Sequence, residues 1–162
     1  MKLILTWLNF LPPEILTLIV AATPISELRG AIPLALGVFN FTPIKSFLLA
    51  WLGNLIPVFL LLWWLDPVAD FLGTRFSLAK KFFDWLFART RQKFLTRYEA
   101  LGELALIIFV AIPFPLTGAW TGSVASFLFG VPPKRALWLI AFGVAISGVI
   151  MIFLSSGVIK IF

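Results

Sequence analysis

The stretch Pro24-Ile25-Ser26-Glu27-Leu28-Arg29-Gly30-Ala31-Ile32-Pro33 holds an acid and a base between two prolines, inside a chain that is 61% hydrophobic and only 12% charged. Proline removes a backbone donor and blocks helix continuation. In hydrocarbon the backbone groups released at such a break have no water to bond. The break is tolerated only where protein or a water-filled cavity covers it. Ionisable side chains at membrane depth likewise face the protein interior or an aqueous path, and they mark functional sites. The segment therefore predicts a broken, membrane-embedded helix, and it marks the place to look for function.

Outward from it, Ser46–Leu65 and Ala136–Ile159 carry no charge. A bilayer core about 30 Å thick is crossed by roughly 20 helical residues, and both stretches reach that length. The fold class expected is an all-α integral membrane protein, a single multi-pass domain over 1–162. With neither cysteine nor histidine in the chain, thiol chemistry, disulfides and the usual transition-metal ligands are excluded. No nucleophile triad, metal site or nucleotide-phosphate loop is legible. No metal, no cofactor and no enzymatic activity are expected. Lys2 and the apolar run after it lack a small-residue cleavage site, which predicts a retained N-terminus.

Seven of the thirteen basic residues (Arg75, Lys80, Lys81, Arg89, Arg91, Lys93 and Arg97) lie between Asp70 and Glu99. Cytoplasmic segments concentrate lysine and arginine, so 75–97 is expected on the cytoplasmic side. Leu72, Phe76, Ala79, Phe83, Leu86 and Phe87 recur at helical spacing, with Lys80, Lys81, Asp84 and Arg91 on the other side. That pattern reads as a basic amphipathic helix over 66–99, lying in the interface or packed on the protein's own surface. Its partners would be anionic lipid headgroups, not nucleic acid.

The chain then divides into two halves that repeat. At one offset of 89 residues Glu14 aligns with Glu103, Pro24 with Pro113, Pro43 with Pro132 and Lys45 with Lys134. Internal symmetry of this kind is a signature of transporters. Each half, 12–65 and 100–160, reads as an apolar segment of some ten residues, a Pro/Gly-broken segment, and a full-length spanning helix. A helix of that length rises only about 15 Å. The reading is thus two re-entrant helical hairpins, each paired with a transmembrane helix. Single kinked helices over 12–42 and 100–131 are the alternative. Lys134 and Arg135 place the second hairpin on the cytoplasmic side and leave the first entering from outside, which makes the repeat inverted. Lys45 then stands on the outer side against the charge rule.

Glu27 and Arg29 are the candidate substrate or proton site. At i and i+2 they do not face each other on a helix; in an extended loop they point the same way. Arg29 offers a permanently charged fork suited to phosphate or carboxylate. Burial would let Glu27 exchange protons near neutral pH, while Arg29 opposes that effect. A salt bridge that closes the loop is the structural alternative. Pro24, Gly30, Pro33, Pro113, Pro115, Thr117, Gly118, Thr121 and Gly122 shape the two breaks and are candidate binding positions. The hydroxyls, with Ser123 and Trp120, are expected mainly to satisfy loosened backbone. Asn54, with Gly53 and Pro57 interrupting the first spanning helix, is a supporting residue that hydrogen-bonds a loop or a substrate. Gly143, Ser147 and Gly148 suggest close helix packing. Glu14 and Glu103 read as caps near helix starts.

Ser26-Glu27-Leu28-Arg29-Gly30-Ala31-Ile32-Pro33 resembles the hallmark of the bacterial small multidrug export protein family. Ile112-Pro113-Phe114-Pro115-Leu116-Thr117-Gly118-Ala119-Trp120-Thr121-Gly122 looks like that family's second motif. The family is similar in layout to the DedA/VTT superfamily, whose members have inverted re-entrant loops each paired with a transmembrane helix. The resemblance implies a bacterial plasma (inner) membrane protein. It also implies proton-dependent movement of lipids such as a polyprenyl phosphate. DedA-like relatives carry arginine in the second loop region, whereas Pro113–Gly130 here holds no charge.

Three functions follow as expectations. The first is a proton-coupled transporter or lipid translocase for an anionic or amphipathic substrate, with Arg29 on the headgroup and Glu27 on the proton. The second is an exporter of hydrophobic cationic drugs, with Glu27 as shared drug and proton site. The third is a non-transporting scaffold acting through the basic helix. Protons, membrane lipids, a lipid or small-molecule substrate and a second copy of the chain are the partners anticipated.

Overall fold

The computed structural model of the chain describes residues 11–75, 99–114 and 117–161, and all regular structure among them is helical. Helix α1 (Pro13–Ala22) opens on a proline, which has no N–H to leave unsatisfied and a φ already set for the helix. It ends at Thr23, whose N–H and hydroxyl both donate to the Val20 carbonyl. A turn over residues 23–26 leads into α2 (Glu27–Pro33). Proline at the end of α2 has no donor for the preceding turn, and the helix widens into a π turn over Leu34–Val38 before Asn40, at φ +53, stops it. Positive φ is tolerated best by glycine and asparagine, which is why such a residue closes a helix. Helix α2 and its π turn both pack against α1, so the broken segment is a helical hairpin and not one kinked rod.

Helix α3 (Pro43–Arg75) runs unbroken through Gly53, Asn54 and Pro57 and past Asp66. The sequence placed an interruption at Gly53-Asn54, and that expectation is corrected; the stretch suited to a membrane ends at Leu65, beside Asp66, while the helix itself runs on. An isolated glycine or amide does not stop a helix whose neighbours are strong apolar helix formers. The first ten residues of the 66–99 segment simply extend α3, and the basic amphipathic helix itself lies outside the described residues.

The second half repeats the order: α4 (Glu99–Ala111), α5 (Ala119–Leu128) and α6 (Pro133–Ile161). Gly130, at φ +68, closes α5, with the Val131 N–H on the Ser126 carbonyl at 2.9 Å. Two stretches, Pro43–Leu65 of α3 and Pro133–Gly157 of α6, are long and apolar enough to cross a bilayer. Their outward faces carry large apolar side chains, with Ile44, Trp138 and Phe153 each about three-quarters exposed. An apolar band that size is out of place in water and suits lipid.

The chain forms two compact units, Met1–Ile56 with Val144–Phe162, and Pro57–Gly143. In the first, Gly53 of α3 lies against α1 so closely that a Cβ there would stand 2.5 Å from the Leu18 carbonyl oxygen and 2.9 Å from the Ala21 Cβ. In the second, a Cβ on Gly143 of α6 would stand 2.9 Å from the Ile107 carbonyl oxygen and 2.8 Å from the Val110 Cβ. Leu18 and Ile107, and Ala21 and Val110, are the pairs the 89-residue offset aligns; Gly53 and Gly143 are one residue further apart. The same shift appears in the ion pairs. Lys45 Nζ lies 2.6 Å from Glu14 Oε1, and Arg135 Nη1 lies 3.1 Å from Glu103 Oε1.

The constant offset is therefore corrected. It holds for α1 and α4, but α3 and α6 are matched with one extra residue, Pro43 with Pro133 and Lys45 with Arg135. Between them the buried positions of α2 and its π turn (Leu28, Ala31, Ile32, Ala35) and of α5 (Ala119, Gly122, Ser123, Ser126) match at two extra residues. The second turn is longer, and the π turn, a one-residue insertion in a helix, returns one residue to the first half.

Candidate functional site

Glu27 begins α2 with φ +46, a conformation that side chains bearing a Cβ adopt rarely and at a cost of about 1–3 kcal/mol. This backbone corrects the extended-loop expectation, since Glu27, Arg29, Gly30 and Pro33 all belong to helix. The left-handed residue turns the Glu27 side chain out of ordinary helical register. The Arg29 Nη2 lies 3.7 Å from Glu27 Oε2 despite the i, i+2 spacing. That separation is an ionic contact longer than the 2.7–2.9 Å of a tight charge-assisted hydrogen bond. The carboxylate side is the inner one: the Glu27 side chain is 9% exposed and that of Arg29 24%.

The surrounding residues hold this first turn in place. The Glu27 N–H donates to the Thr23 carbonyl at 3.1 Å and the Gly30 N–H to the Ser26 carbonyl at 2.9 Å. Gly30 passes so near the turn that a Cβ would stand 2.8 Å from the Ser26 Cβ. Pro24 and Ile25 form the exposed tip, with Ile25 almost wholly uncovered. Leu28, on the inner face, comes near Gly148 of α6, against which the Phe47 ring of α3 also packs.

The second hairpin has no counterpart to the charged pair. With α5 matched to α2, Glu27 corresponds to Gly118, which caps α5 with a near-extended backbone at φ 157, and Arg29 corresponds to Trp120. Pro113, Thr117 and Gly118 belong to the second turn, and Pro115 lies outside the described residues. The Thr117 hydroxyl is held by the Ile112 and Phe114 carbonyls, at 2.8 and 2.9 Å. Thr121 and Gly122 lie in α5 and not in the break. Thr121 bonds the Gly118 carbonyl, and Gly122 lets α5 close on Val110.

Asn54 is fully buried on α3, and neither its Oδ1 nor its Nδ2 finds a hydrogen-bond partner among the described residues. Ser46, two turns earlier and equally buried, is in the same condition. Sequence reasoning missed Ser46, since a single serine near a helix start carries no signal. It also missed the ties from Glu14 to Lys45 and from Glu103 to Arg135, although all three of Glu14/Glu103, Lys45/Lys134 and the adjacent Arg135 stood in the repeat. Among the described residues no cluster of carboxylates suited to a metal occurs. Residues 27–150 match the model of the small multi-drug export protein family. No curated protein and no solved structure matches the chain.

Proposed function

The chain belongs to the small multi-drug export protein family, and on that premise we propose that it is a membrane transporter working at the Glu27–Arg29 pair of its first hairpin. The observation that carries the reading is the Glu27 backbone. A strained acid, inside the protein and in ionic contact with an arginine, stands where the matching hairpin uses glycine. Packing alone does not ask for that residue, and strain of this kind is retained where a site depends on it.

In this reading the two hairpins are re-entrant and inverted, as in the DedA-like layout, and expose a midplane site alternately to either side. Arg29, the more exposed partner, receives the anionic group of an amphipathic substrate such as a polyprenyl phosphate lipid. Glu27 releases its contact with Arg29 and takes a proton as the substrate arrives. The basic stretch 75–97 lies on the cytoplasmic side of a bacterial inner membrane. Export of hydrophobic cations is the second reading, and the family's name favours it. There Glu27 binds the cation, and the nearby guanidinium must swing away to permit it.

The test is movement of labelled undecaprenyl phosphate and of a lipophilic cation in proteoliposomes, with and without a proton gradient. The variants are Glu27→Gln and Arg29→Ala. Gradient-driven lipid movement that both variants abolish supports the first reading. Cation movement lost in Glu27→Gln but kept in Arg29→Ala supports the second. If wild-type liposomes move neither solute above empty ones, transport of these two classes is wrong.

A further inference from the structure

The two long helices provide an internal comparison. Matched as Gly53 is to Gly143, the inner stripe of α3 reads Ser46, Ala50, Asn54, and that of α6 reads Ala136, Ile140, Val144. All six side chains are buried, none more than 1% exposed. The fold therefore packs this stripe with wholly apolar side chains in one half and with a hydroxyl and an amide in the other. Asn54 offers two donors and an acceptor, and leaving such a group unpaired inside a protein destabilises it. Of the buried hydroxyls in the second half, Ser155 towards the end of α6 is likewise without a partner among the described residues, whereas two on α5 are satisfied locally. Ser123 and Ser126 donate to the Ala119 and Ser123 carbonyls of their own helix.

We propose that Ser46 and Asn54 line a surface that is wetted in a second, open state of the protein, and that the α6 stripe has no such state. The conformation described is then the closed one, in which hairpin α1 lies on Gly53 next to Asn54. When α1 withdraws from α3, the amide and the hydroxyl meet groups that both donate and accept, either water or a hydroxyl of a bound solute. A metal cation does not fit, because it would satisfy Oδ1 and leave both Nδ2 hydrogens unpaired. The unpaired amide weakens the closed state relative to the open one and so keeps the open state within reach. The inference deepens the transport reading by assigning the aqueous side of the path to α3, but its test does not require transport.

The chain has no cysteine, so single-cysteine variants need no background changes. Ser46→Cys, Asn54→Cys, Ala136→Cys and Val144→Cys, in the full chain in liposomes, are treated with methanethiosulfonate ethylammonium, which reacts with thiolate in water. Cysteines at 46 and 54 are expected to react at least tenfold faster than those at 136 and 144. Similar rates at all four positions, or slow reaction at both 46 and 54, would overturn the proposal.

Because a cysteine can perturb packing, Asn54→Val provides the second measurement. It installs the residue that the matching position already carries. Its melting temperature in detergent should rise, and labelling of Ser46→Cys in the same chain should fall at least fivefold as the closed state gains. A variant that melts lower, with labelling at 46 unchanged, sinks the idea. Wetting at 46 and 54 in a protein that moves neither test solute would retire the transport reading alone.

Discussion

Glu27 stands in the first hairpin where Gly118 stands in the second, each with positive φ at the start of its hairpin's second helix. The two backbones differ, Glu27 being left-handed at φ +46 and Gly118 close to extended at φ 157, and only the first half places a charged side chain at this point.

Replacing Glu27 by glycine or by glutamine removes the same charge, but only glycine removes the strain. Glu27→Gly should unfold at a higher temperature than Glu27→Gln, by the equivalent of about 1 kcal/mol. Both should fail in the transport assay. Thermal unfolding in detergent measures the first outcome. If the glycine variant is the less stable of the two, the backbone at 27 is not strained.

Three glycines on long helices separate close packing from helix propensity. Gly53→Ala drives a Cβ against a backbone oxygen 2.5 Å away, and Gly143→Ala against one 2.9 Å away, whereas Gly157 has nothing within 4 Å. Overpacking of this kind costs about 1–3 kcal/mol. Gly53→Ala should be the more damaging of the first two. Gly157→Ala should be neutral or stabilising by up to about 1 kcal/mol, from helix propensity alone.

Gly122 meets a side chain and not backbone: a Cβ there would stand 2.6 Å from Val110 Cγ2. Gly122→Ala should therefore lower the melting temperature. Adding Val110→Ala, itself destabilising, should cost less in the Gly122→Ala background than alone. A double-mutant cycle reads the coupling, expected at about 0.5–2 kcal/mol. Strict additivity would mean that α5 moves away from α4 without resistance.

The tie between α1 and α3 predicts a dependence on acid. A hydrogen bond from Lys45, joined by backbone hydrogen bonding and by the lysine's charge, holds the Glu14 carboxyl below its ordinary carboxylate value. A carboxyl whose folded value is depressed adds stability above its unfolded value and loses it as pH falls through the folded one. Melting temperature should therefore drop on acidification more in the wild type than in Glu14→Gln. Parallel curves for the two proteins would count against the contribution.

What the sequence makes legible is set by short-range chemistry. Pro12-Pro13, Pro43 and Pro132-Pro133 mark helix starts because proline has no N–H to satisfy. The charge-free runs mark the long helices because length and apolarity suffice to define them. The acid and base at 27 and 29 stand out because ionisable groups are rare in so apolar a chain. Less legible was the break itself. Proline spacing located it, but the sequence suggested a loop where the chain forms a helical turn with one left-handed residue. A single offset could not fit a repeat whose second turn is longer and whose first half carries a π turn, since one-residue insertions are invisible among so many interchangeable apolar residues.

By itself, then, the sequence determined the helical class, the two long apolar helices and the presence of an acid and a base two residues apart. Tertiary structure alone decided that Lys45 meets Glu14 while Arg135, not Lys134, meets Glu103. It alone decided that α1 meets α3 at Gly53 and α4 meets α6 at Gly143, and that Ser46 and Asn54 are buried with no side-chain partner among the described residues. Side-chain identity fixes what each residue contributes locally. Which atoms meet depends on helix register, and in these halves register is set by turn length and a π turn, features of the folded backbone.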